Sequence, residues 1–180
     1  LPMGYGKTTA IGWYLKNRAE AENAEIIRIS IYSDNRQIFW KSTRKAFADA
    51  GFPLLSEYEF PLELSDSVIL AEDICSMFDA DRAYYVFIDD FHLLGSQGVA
   101  SFLCMIAKKL PDNVHIIVAG RSRFLQNSDI VQFGRRLHEI NADQFRLNYT
   151  ELSVYAGKCG ISLSDSQLDK LMNLSEGWFS

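Results

Sequence analysis

Six residues near the start of the chain, Gly4-Tyr5-Gly6-Lys7-Thr8-Thr9, have the types needed to hold a phosphate chain. Two glycines let successive backbone N–H groups turn inward around an anion, and a helix starting behind them aims its positive end at the same charge. Lys7 supplies a cation for β- and γ-phosphate oxygens, and the Thr8 hydroxyl supplies a ligand for Mg²⁺. The full pattern has a small residue five positions before Gly6, where Leu1 stands here. A glycine-rich turn carrying a solvated lysine is the other reading of these residues.

A second cluster is Val86-Phe87-Ile88-Asp89-Asp90, an apolar run closed by two carboxylates. Open α/β sheets bind ligands at the C-terminal ends of their strands. There the first acid can hold the water shell of Mg²⁺ and the second can polarise an attacking water. The competing reading is a pair of acids that opens a turn before Phe91-His92. A third piece is Ile116-Ile-Val-Ala-Gly-Arg121-Ser-Arg123. Arg121, permanently charged and fork-shaped, could reach a γ-phosphate, or it could face solvent at a strand-to-loop turn. A phosphate loop upstream and an acid-ended strand downstream together point to a bound nucleotide.

These residues need elements to hold them. Lys7 to Arg18 reads as a helix, and Glu25–Tyr32 as a β-branched strand. Arg36–Ala50 places Phe39, Thr43, Phe47 and Ala50 on one helical face, and Gly51-Phe-Pro ends it. Phe52–Leu64 is an irregular connection, after which Ser65 or Asp66 can cap a helix reaching about Phe78. Tyr84 to Asp90 is a strand buried on both faces. Val99, Phe102, Leu103, Ile106 and Leu110 define an amphipathic helix that Pro111 stops. Val114–Ala119 is a further short strand, and another is expected near Phe145–Leu147. Thr150–Lys158 and Ser164–Ser175 read as helices; the second opens with the capping box Ser164-x-x-Gln167 and stops at Gly177. Strands alternating with helices predict an α/β fold with a mostly parallel sheet.

Composition narrows the function classes. The 180 residues include 48% hydrophobic and 23% charged side chains, with 11 glycines and four prolines, an ordinary globular mix rather than a disordered one. No apolar run approaches the ~20 residues a bilayer span needs, so no membrane contact is expected. Eighteen Lys and Arg against 23 Asp and Glu give a net charge of −5, without the basic stripe that grips nucleic acid. Cys75, Cys104 and Cys159 fit no zinc spacing, and their odd number opposes a disulfide framework; reduced thiols in a cytoplasmic protein are expected. His92 reads as a packing residue or a local hydrogen-bonding group, and His115 and His138 have no ligand partners at metal spacing. Trp13, Tyr14 and Trp40 read as core or groove aromatics, and Arg135-Arg136 as facing solvent in preference to a protomer contact.

Taken together, Pro2-x-Gly-x-Gly-Lys-Thr-Thr, Phe87-Ile-Asp-Asp-Phe-His-Leu-Leu, Val118-Ala-Gly-Arg-Ser and Glu176-Gly-Trp resemble the STAND class of signal-transduction ATPases. The likeness is to the large ATP-binding LuxR-type transcriptional regulators of the maltose-activator kind. It takes in Ser33-Asp-Asn with Phe39-Trp40 and Ala142-Asp-Gln-Phe-Arg-Leu, and so runs along nearly the whole chain. The resemblance implies a P-loop NTPase with its Walker A loop at Gly4, Tyr5, Gly6, Lys7, Thr8 and Thr9. It places Thr8 and Asp89 at Mg²⁺, Asp90 as the water-activating acid of Walker B, Lys7 at the phosphates and Arg121 as sensor. Gly177-Trp178-Phe179 replaces the family's Gly-Trp-Pro, whose proline region approaches the adenine.

The expected function is thus an ATP-binding, slowly hydrolysing switch domain that takes ATP, ADP and Mg²⁺. Its partners would be other protomers on activation, with an inducer bound elsewhere and no nucleic acid on this domain. A small-molecule or nucleotide kinase, and a non-hydrolysing nucleotide-gated interaction module, are the alternatives. Residues 1–148 are expected to form the core and 149–180 the start of a helical extension. A phosphate loop follows a central strand, yet only six residues precede Lys7, and Pro2 and Gly4 suit no strand. The chain is therefore expected to be N-terminally truncated and to lack its first central strand. A gap or an imperfect closure is expected between the Asp89-ended strand and Val114–Ala119, with Leu1–Tyr5 poorly anchored and ATP held weakly.

Overall fold

The computed structural model describes residues 6–95, 97–141 and 143–178. They divide into two compact units, one of residues 11–137 and the other of residues 138–178 with 6–10.

The larger unit is built on three parallel strands, β1 (Glu25–Ser30), β2 (Tyr84–Asp89) and β3 (Val114–Val118), in spatial order β1-β2-β3. Glu25 pairs with Tyr84 and Ser30 with Asp89; Tyr84 pairs with Val114 and Ile88 with Val118. β2 is central, which is why Tyr84 to Ile88 are all buried and its sequence is apolar without alternation. β1 sits at an edge and alternates instead, with Ile27 and Ile29 buried and Arg28 and Ser30 exposed. The α/β fold with a parallel sheet is as expected.

The gap expected between β2 and β3 is not there. These strands pair directly along five residues, and the pairing continues beyond them as the Ala119 N–H donates to the Ile88 carbonyl and the Phe91 N–H to the Ala119 carbonyl, each at 2.9 Å. The expectation assumed that a further strand must insert between these two. Their ladder bonds are satisfied by each other, and backbone groups so paired leave no room for an insertion. Leu1–Tyr5, whose anchoring formed part of that expectation, lie outside the described residues.

One face of the sheet carries the main core. Ile27, Ile29, Val86, Ile88 and Val114 pack with Phe39, Trp40 and Phe47 of α2 (Arg36–Asp49), Leu70 and Ile74 of α3 (Leu64–Ser76), and Val99, Phe102 and Ile106 of α4 (Gln97–Lys109). The Trp40 indole N–H donates to the Tyr58 carbonyl at 2.8 Å, which satisfies its polar atom inside the core. The other face is covered by residues 11–22 of α1 (Lys7–Glu22), with Leu15 against Tyr85, Phe87 and Ala119. At Gly12 a Cβ would meet the Arg28 Nη2 at 3.1 Å, so glycine lets the helix pass over that guanidinium, which itself lies 5.5 Å from the Phe87 ring centroid.

Several local expectations are corrected. Asn35 caps α2 by accepting from the Gln37 and Ile38 N–H groups, but α3 starts at Leu64 after Glu63, with no side-chain cap from Ser65 or Asp66. Residues 124–136, which show no clear helical or strand period, hold α5 (Asn127–Phe133), opened by a Gln126–Asp129 capping box. Arg135 and Arg136 are exposed as expected, and Arg136 also donates to the Lys108 and Leu110 carbonyls at 3.3 and 2.9 Å, closing the C-terminal end of α4. Trp13 is 64% exposed, whereas Trp40 is buried as expected.

In the smaller unit α6 (Tyr149–Lys158) packs on α7 (Asp165–Ser175) through Leu152, Ala156 and Leu168. Both helices open with capping boxes, Asn148 with Glu151 and Ser164 with Gln167. The strand expected near Phe145–Leu147 is absent. Asp143–Phe145 is a 3₁₀ turn, and the Leu147 N–H donates to the Gly177 carbonyl at 2.8 Å. Arg146 stacks over the Trp178 ring at 5.1 Å and lies 3.8 Å from Glu176.

Candidate functional site

Asp89 is the last residue of β2, opposite Ser30 of β1, and is half-buried. The apolar run before it fixes its place, since Val86 and Ile88 must face the main core and Phe87 the α1 side. One of its carboxylate oxygens accepts from the Asp90 N–H at 2.9 Å. Asp90 leaves the strand in the left-handed region, at φ +55°. That conformation disfavours most residues but is accessible to aspartate. It reverses the chain at once into a 3₁₀ turn, Phe91–Leu93, with Leu93 donating to the Asp90 carbonyl at 2.9 Å. Phe91 is buried against Phe124, ring centroids 4.5 Å apart, and pins the turn to the sheet.

The neighbouring strand ends at the same level. After β3 come Ala119, bonded to both Ile88 and Phe91, then Gly120 and the exposed Arg121. A Cβ on Gly120 would stand 3.5 Å from the His92 backbone nitrogen and 3.9 Å from its Cβ, so the space between the two loops is about that of one methyl group. Sequence-predicted Asp89, Asp90 and Arg121 are therefore gathered at the C-terminal ends of two paired parallel strands, the position at which such sheets bind ligands.

His92 joins them, which sequence reasoning did not foresee. Its side chain is 12% exposed, its Nδ1 lies 3.7 Å from an Asp90 carboxylate oxygen, and neither ring nitrogen has a hydrogen-bond partner among the described residues. The available signal was its place two residues after the second acid.

Lys7, Thr8 and Thr9 belong to the first turn of α1 and are described within the smaller unit. Gly6 precedes them at φ +68°, a value that favours glycine, and its carbonyl accepts the Ala10 N–H at 2.8 Å. Lys7 is half-buried, while Thr8 and Thr9 are exposed. A left-handed glycine directly before a long helix is the local arrangement a phosphate loop uses. Gly4 and Tyr5 lie outside the described residues.

Among the described residues no group of three or more His, Cys, Asp or Glu side chains is arranged to hold a metal. Mg²⁺ in nucleotide sites takes one or two protein oxygens and completes its shell with water and phosphate. The hard carboxylate oxygens of Asp89 are of the type that donor set uses. All three cysteines are free thiols, and burial raises the pKa of Cys75 and of Cys104. No helix among the described residues is long and apolar enough to cross a membrane.

No family model matches the chain. The chain is 21% identical to the HTH-type transcriptional regulator MalT of Vibrio campbellii, and equally to that of Vibrio parahaemolyticus, over 188 aligned positions covering 98% of this chain and 20% of each regulator. It is 26% identical to the MalT of Vibrio cholerae over 131 positions, 67% of this chain and 14% of that one. Among solved structures, Cdc6p from Pyrobaculum aerophilum aligns at a TM-score of 0.49 with 19% identity, covering 73% of this chain and 35% of its own. The Aeropyrum pernix ORC2 protein, in ADPNP–ADP complexes, aligns at 0.45 with 13% identity, covering 91% and 44%. These structural likenesses are slight. The sequence likeness extends along nearly the whole chain, which spans about a fifth of the length of the first two relatives. The chain is a distant relative of the MalT regulators, with an α/β fold built on a parallel sheet.

Proposed function

We propose that this chain is the ATP-binding and slowly hydrolysing switch domain of a STAND-type bacterial transcriptional regulator, working in the cytoplasm. The observation that carries the reading is Asp89-Asp90 at the C-terminal end of the central parallel strand, beside the Gly120-Arg121 turn, in a distant relative of MalT. In this reading Gly4, Tyr5, Gly6 and Thr9 wrap the phosphates with backbone N–H groups, and Lys7 pairs with the β- and γ-oxygens. Thr8 and Asp89 hold Mg²⁺, which neutralises phosphate charge as the reaction proceeds. Asp90 polarises the attacking water, and Arg121 senses the γ-phosphate.

The γ-phosphate is the group that distinguishes ATP from ADP, so contacts to it let the two nucleotides select different states. Assembly with other protomers and response to an inducer bound elsewhere would follow from that selection. Titration with a fluorescent ATP analogue tests the assignment. The wild-type chain should bind in a Mg²⁺-dependent manner, and Lys7→Ala should lose at least about tenfold in affinity, since a charge-assisted donor to phosphate is removed. Equal affinity of the two proteins would refute the phosphate-loop assignment.

A further inference from the structure

We propose that the start of α3 and the segment before it form a docking surface for a partner protein, and that the docking element is an amphipathic helix rich in Lys and Arg. The surface is built by residues 57–69 of the larger unit and does not depend on the nucleotide reading.

Three large aliphatic side chains stand in solvent here: Leu62, Leu64 and Ile69 are 74%, 76% and 57% exposed. Glu63, between the two leucines, is extended at φ −105° and ψ 157°, so Leu62 and Leu64 project to the same side. The backbone that presents them is held from both directions. Before them, Pro61 is buried and the Phe60 ring packs edge-on against Trp40 and Phe102, centroids 5.7 and 5.4 Å apart. The Tyr58 carbonyl accepts the Trp40 indole N–H, and the Tyr58 hydroxyl donates to Asp73 of α3. After them, Leu70 and Ala71 are buried and fix the helix. An apolar surface already fixed in place loses little conformational freedom when a partner covers it.

Charge identifies the occupant. Between residues 46 and 81 the chain has nine Asp and Glu and no Lys, Arg or His. Glu57, Glu63 and Asp66 are exposed around the leucines, and among the described residues none of them forms an ion pair with Lys or Arg. Glu63 and Asp66 also suit the positive end of α3, but a helix end requires no leucines in solvent beside it. Such a rim repels anionic lipid and nucleic acid alike. Two copies meeting face to face would set Glu63 and Asp66 against their own counterparts, and like charges across an interface oppose association. A helix with apolar residues at i, i+3 and i+4 spacing, flanked by Lys or Arg, matches the leucines and the carboxylates together.

The test titrates the 180-residue chain with a designed amphipathic helix that has leucines on one face and lysines flanking them, and with its counterpart carrying glutamates. Backbone ¹H–¹⁵N resonances locate the contact; sedimentation velocity and co-sedimentation with anionic vesicles are run on the same chain. The lysine helix should bind and shift resonances within residues 57–69, and the glutamate helix should not bind. Leu62→Ser combined with Leu64→Ser should weaken the lysine helix at least about tenfold, since the apolar area that binding covers is removed. Glu63→Lys combined with Asp66→Lys should weaken it by a similar factor and let the glutamate helix bind. Wild-type affinity should fall as salt rises from about 50 to about 200 mM.

Resonance shifts confined to another face, unchanged affinity in the serine variant, or no binding of the glutamate helix to the lysine variant would overturn the assignment. Concentration-dependent dimers abolished by Leu64→Ser would identify a second copy as the occupant, and vesicle binding abolished by the same change would identify a membrane; either result overturns it. If the serine variant does not fold, the wild-type resonance map and the lysine variant decide. No arm of the test uses nucleotide, so failure of ATP binding bears on the preceding proposal alone.

Discussion

Gly177 is the position where a single methyl group should cost most in the smaller unit. It sits at φ +81°, and a Cβ built there would stand 2.5 Å from the Leu147 carbonyl oxygen. Leu147 is also the residue whose N–H donates to the Gly177 carbonyl. Gly177→Ala therefore meets two costs. The left-handed conformation opposes an L-residue by about 1–2 kcal/mol, and relieving the clash means moving Leu147 and weakening its bond, about 0.5–1.5 kcal/mol more. The expected total is about 2–3 kcal/mol. Gly160 separates the two costs: its φ is +75°, but a Cβ there meets nothing within 4 Å. Gly160→Ala should cost only the conformational part, about 1 kcal/mol. Urea unfolding of the two variants beside wild type, at unchanged m, gives the comparison. If Gly177→Ala proves no more destabilising than Gly160→Ala, the steric argument is wrong.

Three further outcomes are expected. Asp89→Asn should weaken Mg²⁺-dependent ATP binding, while Asp90→Asn should leave binding intact and slow turnover by about tenfold or more; titration and phosphate release on both variants check this, and identical profiles would remove the division of labour. Arg121→Ala should narrow the preference for ATP over ADP, read from paired titrations; an unchanged ratio returns this arginine to solvent. The Tyr85 phenol is pushed up to about 12 by burial and by its hydrogen bond to Glu22 at 3.0 Å. The folded state thus keeps that proton where the unfolded chain, titrating near pH 10, has lost it. Its stabilising contribution is full below pH 10 and is lost as pH rises toward 12. Tyr85→Phe should make the alkaline decline between those values shallower in pH-dependent unfolding; an equal slope would count against the assignment.

Where the sequence was informative, the reason was burial. β2 was legible because a strand enclosed on both faces must be apolar throughout. α2 and α4 were legible because Phe39, Thr43 and Phe47, and Val99, Phe102, Ile106 and Leu110, recur at helical spacing against one core. α5 was not, because the described residues include no buried residue on it and its only mark is the Gln126–Asp129 box. Phe145–Leu147 resembled a strand by composition, yet among the described residues no neighbouring strand stands beside it to pair with. Asp89, Asp90 and Arg121 could be foreseen as lying at strand ends. That Asp90 adopts a left-handed turn, and that this leaves His92 shielded beside it, depends on how β2 and β3 close on each other, and no spacing in the chain encodes that. The mistaken gap had the same origin: strand order in a sheet is a property of pairing, which local pattern does not carry.

The strand order also bears on how the protein is made. Among the described residues β1 has a single neighbour in the sheet, β2, and Glu25 leaves the ribosome long before its partner Tyr84 does. At about 5–20 residues per second, β1 waits for seconds with Ile27 and Ile29 uncovered and its backbone groups unpaired. The strand that ends in the two acids is thus the one whose arrival lets the sheet form. A slow codon run or a chaperone site between Ser30 and Tyr84 would prolong the interval in which nascent chains can pair with one another. Synonymous changes confined to that stretch should alter the soluble yield while leaving the finished protein the same.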